Sequence, residues 1–280
     1  MKFGLSSFVW TSPFTNESLS LLEKAKKFGF DAYEICIEDP KTINADKILS
    51  ESKKQNIDII MCGAFGPERD IGSSRADYRD IGINYIKYCI DVAKDVDAEM
   101  VVGPMYSGSG NMKLRSEQET QERRSFIVEN MKILADYAEE RNIKLAIEPL
   151  NRFETDFLNT VEQGLELLEE IGKDNIGLLL DTFHMNIEEK SIPDAILRAG
   201  RKLFHFHACA NDRGTPGEDH FDWKAIAKAL QSINYKGYAV IESFTPDIKE
   251  IARSVSLWRK VACSPDVLAE SGLSFLKKIF

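Results

Sequence analysis

LLLDTFHMN, residues 178–186, is the stretch on which the fold turns. Three leucines in a row leave no polar face, so the strand they form is covered on both sides, as strands of a parallel sheet are. The run then stops at Asp181, and His184 follows three residues later. A carboxylate at the end of a doubly buried strand is costly unless a partner is waiting there.

The same plan repeats on either side of this stretch. KFGLSS, AYEICIE, IDIIMCG, EMVVGP, KLAIEPL, IGLLLD, LFHFHAC and YAVIES are eight short apolar runs. Between them lie longer charged segments, such as RDIGINYIKYCIDVAKDV and TVEQGLELLEEIGK, with apolar residues three and four apart, the spacing of amphipathic helices. Eight strand–helix units in 280 residues predict an α/β fold, a single (β/α)8 TIM barrel occupying residues 1–280 as one domain. IKEIARSVSLWRKV reads as the helix after the eighth strand, and SPDVLAESGLSFLKKIF as an extra C-terminal helix. An open doubly wound sheet is the competing architecture, but no GxGxxG follows any strand.

Composition narrows the partners. A formal charge of −9 and a pI near 5.2, without a basic block, argue against nucleic acid and against an anionic membrane surface. No apolar stretch approaches the ~18 residues a membrane span needs. MKFGLSSFVWTSPF has no long apolar core or cleavage site, so no signal peptide is expected. Five cysteines, none in a CxxC pair, read as reduced thiols of a cytoplasmic protein.

In a (β/α)8 barrel the chemistry gathers at the C-terminal ends of the strands. The fifth run ends at Glu148, the sixth at Asp181, the seventh at His207 and the eighth at Glu242, at intervals of 33, 26 and 35 residues. A barrel of this size repeats about every 30 residues, so the four stand one per strand at similar height. Three carboxylates converging on one mouth repel unless a cation offsets them. Two Glu, one Asp and one His suit Mn²⁺, Co²⁺ or Mg²⁺ better than a structural zinc. His205 and His207 face the same side of their strand, with His205 a layer deeper as a core residue; Phe204 and Phe206 are expected toward the helices. Arg213, in a Gly- and Pro-containing loop above these carboxylates, is expected to contact substrate oxygens, and Trp10, Phe14 and Phe244 to form pocket walls.

EPLNRFE, LDTFHMNIEE, HFH followed by NDRGTPG, and IESF resemble the D-tagatose 3-epimerase and D-allulose (psicose) 3-epimerase family of xylose-isomerase-like barrels. The resemblance covers most of the chain and is tightest from Lys144 to Phe244. It implies metal ligands at Glu148, Asp181, His207 and Glu242, with Glu148 and Glu242 as the two catalytic acid/base groups. It also implies substrate contacts from Glu154, His184 and Arg213, and a cofactor of Mn²⁺, Co²⁺ or Mg²⁺ with no organic cofactor. The activity implied is a ketose 3-epimerase acting on a free ketohexose or ketopentose, of D-tagatose, D-fructose/D-allulose or L-ribulose type. One glutamate removes the C3 proton, an enediolate forms, and the other returns a proton to the opposite face. Family habit implies a homodimer or homotetramer.

The chain departs from the family pattern at Ala208–Asn211 and at Ser6 and Ser7, where several relatives carry aromatic residues. Those departures leave the substrate open. An isomerase or epimerase of a phosphorylated sugar or a keto sugar acid is the alternative, and a non-catalytic sugar-binding barrel a remote one. An abasic-site endonuclease on the same fold would need a histidine-rich multi-zinc site and a basic surface; this chain has four histidines and is acidic.

Overall fold

The structure, a computed structural model, describes residues 1–280. Strands β1 (Lys2–Ser6), β2 (Ala32–Ile37), β3 (Asp58–Gly63), β4 (Met100–Gly103), β5 (Lys144–Ile147), β6 (Ile176–Asp181), β7 (Leu203–His207) and β8 (Tyr238–Ile241) pair in order and close into one parallel barrel. Each falls within an apolar run read as a strand. The helices are α1 (Ser20–Phe28), α2 (Ala45–Gln55), α3 (Ala76–Asp95), α4 (Glu117–Glu139), α5 (Val161–Ile171), α6 (Thr182–Glu188), α7 (Ile192–Ala199), α8 (Trp223–Ser232), α9 (Lys249–Ser254) and α10 (Pro265–Ile279). None is long and apolar enough to cross a membrane.

The period-2 alternation of the strands sorts the core into two shells. Leu5, Tyr33, Ile35, Met61, Val101, Leu145, Leu178 and Ile241 point outward and join the helices in a large shared cluster. Ala32, Ile60, Met100, Val102, Ala146, Leu179 and Val240 point inward and fill the barrel axis. At the C-terminal ends of β5 to β8 polar groups take over, Glu148, Asp181, His207 and Glu242, and that is where the site is built.

Two expectations are corrected. Phe206 does face the helices, but Phe204 packs against the inner cluster. The cause is a register irregularity: Leu178 pairs with Leu203 and Leu179 with His205, so Phe204 is the extra residue of a bulge. Gly177 makes room for it, since a Cβ there would sit 2.4 Å from the Phe204 ring. The helix after β8 stops at Ser254, because the chain turns left-handed at Ser256 (φ 55°) and Leu257 N–H returns to the Ala252 carbonyl. That turn drops Leu257 into the inner cluster. The segment after Asp181 forms the short helix α6.

Candidate active site at the barrel mouth

Asp181 shows how a strand end becomes a site. It closes β6 and is the N-cap of α6: Oδ1 accepts the Phe183 backbone N–H at 2.8 Å, which satisfies a helix-end donor. Its other oxygen, Oδ2, accepts from Arg213 Nη1 at 2.7 Å. The same Nη1 donates to Glu242 Oε2 at 2.7 Å, so one guanidinium bridges the carboxylates of β6 and β8. The guanidinium lies 4.0 Å from the Phe183 ring centroid and 5.1 Å from that of Phe244. Its backbone is held at φ 66°, an unfavourable region for a residue with a Cβ, and the Ser243 hydroxyl donates to the Arg213 carbonyl. The loop is thus fixed at the point where the arginine enters the cluster.

His207 faces two ways. Its Nε2 lies 3.2 Å from Glu34, whereas its Nδ1 is buried without a hydrogen-bond partner. That Nδ1 stands 3.8 Å from Glu242 Oε1 and 4.0 Å from Asp181 Oδ2. Ligand atoms of Glu148, Asp181 and His207 all fall within 4.8 Å of one another. An orphaned imidazole nitrogen looking into three carboxylates is a donor set that fits a divalent cation, and an oxygen-rich one that suits Mn²⁺, Co²⁺ or Mg²⁺.

Burial, then the Glu242 charge, raises the Glu148 carboxyl well above the usual range. Burial lifts Glu242 to about 7 against the opposing pull of His207 and Arg213. Asp181 is also pushed up by burial, yet Arg213, His184 and His207 hold it below its ordinary value. For His207, burial opposes the charged form, but Glu34 and Glu242 carry it to about 10.

His184 projects from α6 into the same space. Its Nδ1 accepts from the Asn151 backbone N–H at 3.0 Å and lies 2.9 Å from Asn151 Nδ2. Burial and Arg213 lower its pKa to about 4, so the ring is neutral with its proton on Nε2. That Nε2 is 3.2 Å from Arg213 Nη2 and 3.6 Å from Glu148 Oε1. With the proton on Nε2, His184 and Arg213 are two donors 3.2 Å apart, close enough to serve one acceptor placed between them. Asn151 Nδ2 also donates to Glu154 Oε1 at 2.8 Å, so Glu154 reaches the cluster through Asn151.

Of the residues singled out from sequence, Glu148, Asp181, His184, His207, Arg213 and Glu242 are brought together, with Phe244 against Arg213 and Glu154 one residue removed. Trp10 is not among them. After β1 the chain makes a short 3-10 turn, Ser7–Val9, which swings Trp10 outward. There it packs on Phe28 and Tyr33, centroids 5.5 and 6.1 Å away, with Lys24 Nζ 4.3 Å above its ring. Phe14 joins the same outer cluster beside Tyr33. Phe8 faces inward in their place and packs on Phe244 at 5.1 Å. The sequence reading also passed over Asn151 and Glu34. Glu34 did leave a signal: a glutamate flanked by Tyr33 and Ile35 in a strand covered on both faces must have a buried partner.

Residues 22–279 match the family described as "Xylose isomerase-like TIM barrel". The chain is 37% identical over 280 residues, covering 100% of it and 97% of the relative, to the Synechocystis sp. protein named "Probable ketose 3-epimerase". It is 31% identical over 273 residues to the D-psicose 3-epimerase of Agrobacterium fabrum, covering 95% of this chain and 93% of that one. A solved D-allulose 3-epimerase from Methylomonas sp. in complex with D-allulose superposes with a TM-score of 0.94 at 28% identity, over 100% of this chain and 97% of that one. The chain belongs to the xylose isomerase-like TIM-barrel family, on its ketose 3-epimerase branch. It is an isomerase of the class that epimerises carbohydrates.

Proposed function

We propose that the protein is a divalent-metal-dependent ketose 3-epimerase acting on free ketohexoses or ketopentoses, with Glu148, Asp181, His207 and Glu242 holding the metal. The observation that carries this reading is the buried, unpartnered His207 Nδ1 facing the carboxylates of β5, β6 and β8. A divalent cation bound there, Mn²⁺, Co²⁺ or Mg²⁺, supplies Lewis-acid polarisation of the ketose carbonyl and acidifies the C3 proton.

The chain's own groups do the rest. Glu148 and Glu242 take and return the proton at C3, one on each face of the sugar. Burial raises both carboxyls, Glu242 to about 7, and a raised carboxyl holds and releases a proton more readily near neutral pH. His184 Nε2–H and Arg213 Nη2 donate to the oxygen at C2 as it gains charge. Asn151 keeps the His184 ring in the donor tautomer and orients Glu154, which accepts from a sugar hydroxyl. Phe8 and Phe244 form an apolar wall. The names of the relatives, D-psicose and L-ribulose 3-epimerases among them, support free ketoses as substrates. The five free thiols, four of them buried, suit a cytoplasmic enzyme, and we expect a homodimer or homotetramer.

The test is a substrate panel. Mn²⁺-loaded protein is incubated with D-fructose, D-tagatose and L-ribulose, and with phosphorylated ketoses, and the C3 epimers are separated chromatographically. Epimers from the free ketoses are expected; turnover of the phosphorylated sugars alone refutes the substrate assignment.

A further inference from the structure

Beneath the mouth, the barrel interior holds a charged group that the proposed reaction does not use. Glu34 of β2 points inward between Ala32 and Cys36, and it is fully buried. A carboxylate has no reason to sit on the axis of an apolar barrel unless hydrogen-bond donors hold it there. Two imidazoles of β7 do so. His205 Nε2 lies 2.8 Å from Glu34 Oε2, and His207 Nε2 lies 3.2 Å from the same oxygen. Both rings are themselves fully buried.

We propose that Glu34 is a positioning residue for the metal centre. The carboxylate accepts the Nε2 proton of His207, which fixes that ring's tautomer and rotation and leaves Nδ1 free to face Asp181 and Glu242. A carboxylate behind a ligating histidine also makes the imidazole a better donor to a cation. The geometry gives a reason for His205 as well. It donates a second hydrogen bond to Oε2 and satisfies the buried carboxylate from below, a contact that stabilises the barrel interior while the Glu34–His207 bond stands without it. Four strands take part: β2 supplies the acceptor, β7 the ligand, and β6 and β8 the carboxylates that Nδ1 faces. This inference rests on the metal reading given above, but not on the identity of the sugar.

The test measures metal binding without any substrate. Glu34→Gln keeps the shape of the side chain and removes its charge; the dissociation constant for Mn²⁺ or Co²⁺ is expected to weaken ~10–100-fold. In a His207→Asn background the same change is expected to have no further effect on affinity, because the residue it acts through is gone. His205→Asn, which spares the Glu34–His207 bond, is expected to lower thermal stability while leaving metal affinity close to that of the unaltered protein. An unchanged affinity in Glu34→Gln, or an equal loss with and without His207, overturns the proposal. Should Glu34→Gln fail to fold, long-range ¹H–¹⁵N spectra of the unaltered protein loaded with Mg²⁺ decide: His207 must carry its proton on Nε2, and a proton on Nδ1 overturns the proposal. Two ions per chain would also overturn it, since Glu34, His205 and His207 would then be ligands themselves. A protein that binds no divalent ion at all fails the parent reading, whereas one that binds without the Glu34 penalty fails this inference alone.

Discussion

Arg213→Ala separates charge neutralisation from packing at the barrel mouth. The guanidinium makes two 2.7 Å hydrogen bonds to buried carboxylates, Asp181 and Glu242. Removing one partner of a buried ion pair costs about 3–5 kcal/mol, most of it the penalty of leaving a charge alone. Glu242 relieves part of that by taking a proton, since burial already lifts its carboxyl to about 7 with the arginine in place. At pH 7 the loss in chelator-treated protein is therefore set near the lower bound, about 3 kcal/mol. At roughly 2–4 °C per kcal/mol for a large domain, this lowers Tm by roughly 6–12 °C. A saturating divalent cation replaces the missing positive charge, so most of the deficit closes in its presence. Scanning calorimetry of both proteins, with chelator and with excess Mn²⁺, reads all four states. Activity is expected to fall ~10²-fold or more even in the metal-loaded variant, because the proposed donor to the C2 oxygen is gone. Equal Tm deficits with chelator and with Mn²⁺ would refute the reasoning and leave Arg213 as a turn residue alone. Arg213→Lys, which keeps the charge but not the fork, should fall between the two in stability.

Two further predictions concern the carboxylates. Glu148→Gln and Glu242→Gln should each lower kcat by ~10²-fold or more, the usual weight of a positioned acid/base; near-full activity in either variant would rule out a two-base scheme. Metal affinity should strengthen as pH rises from 6 to 8. His207, carried to about 10, holds a proton throughout that range, and Glu242, lifted to about 7, holds one over its lower half; the cation must displace both. Each displaced proton gives about a tenfold change in affinity per pH unit, measurable by titration calorimetry, and a pH-independent affinity would contradict the assignment.

The eight strands were legible because each is buried on both faces and so reads as an unbroken apolar run. The polar groups at the strand ends were legible for the same reason: Glu148, Asp181 and Glu242 stand out against what precedes them. What stayed hidden depends on contacts between distant segments. The bulge at Phe204 exists because Gly177 lies opposite on β6, and no local pattern reports that pairing. Trp10 leaves the place expected of it, and Phe8 takes the position beside Phe244, because a short 3-10 turn follows β1. Asp181 was read as a strand end, but its second task as the cap of α6 appears only once the helix is seen. Glu34 sits in a plain strand sequence, and its meaning comes from His205 and His207, more than 170 positions away.

The most direct test of the central claim is solvent exchange at C3. Metal-loaded protein is incubated in D2O with D-fructose, D-tagatose or L-ribulose, and the recovered sugars are read by NMR. Removal of the C3 proton by one glutamate and delivery of a solvent-derived deuteron by the other predicts deuterium at C3 of the epimer. No deuterium at C3 with any free ketose, alongside turnover of a phosphorylated or acidic sugar, would contradict it.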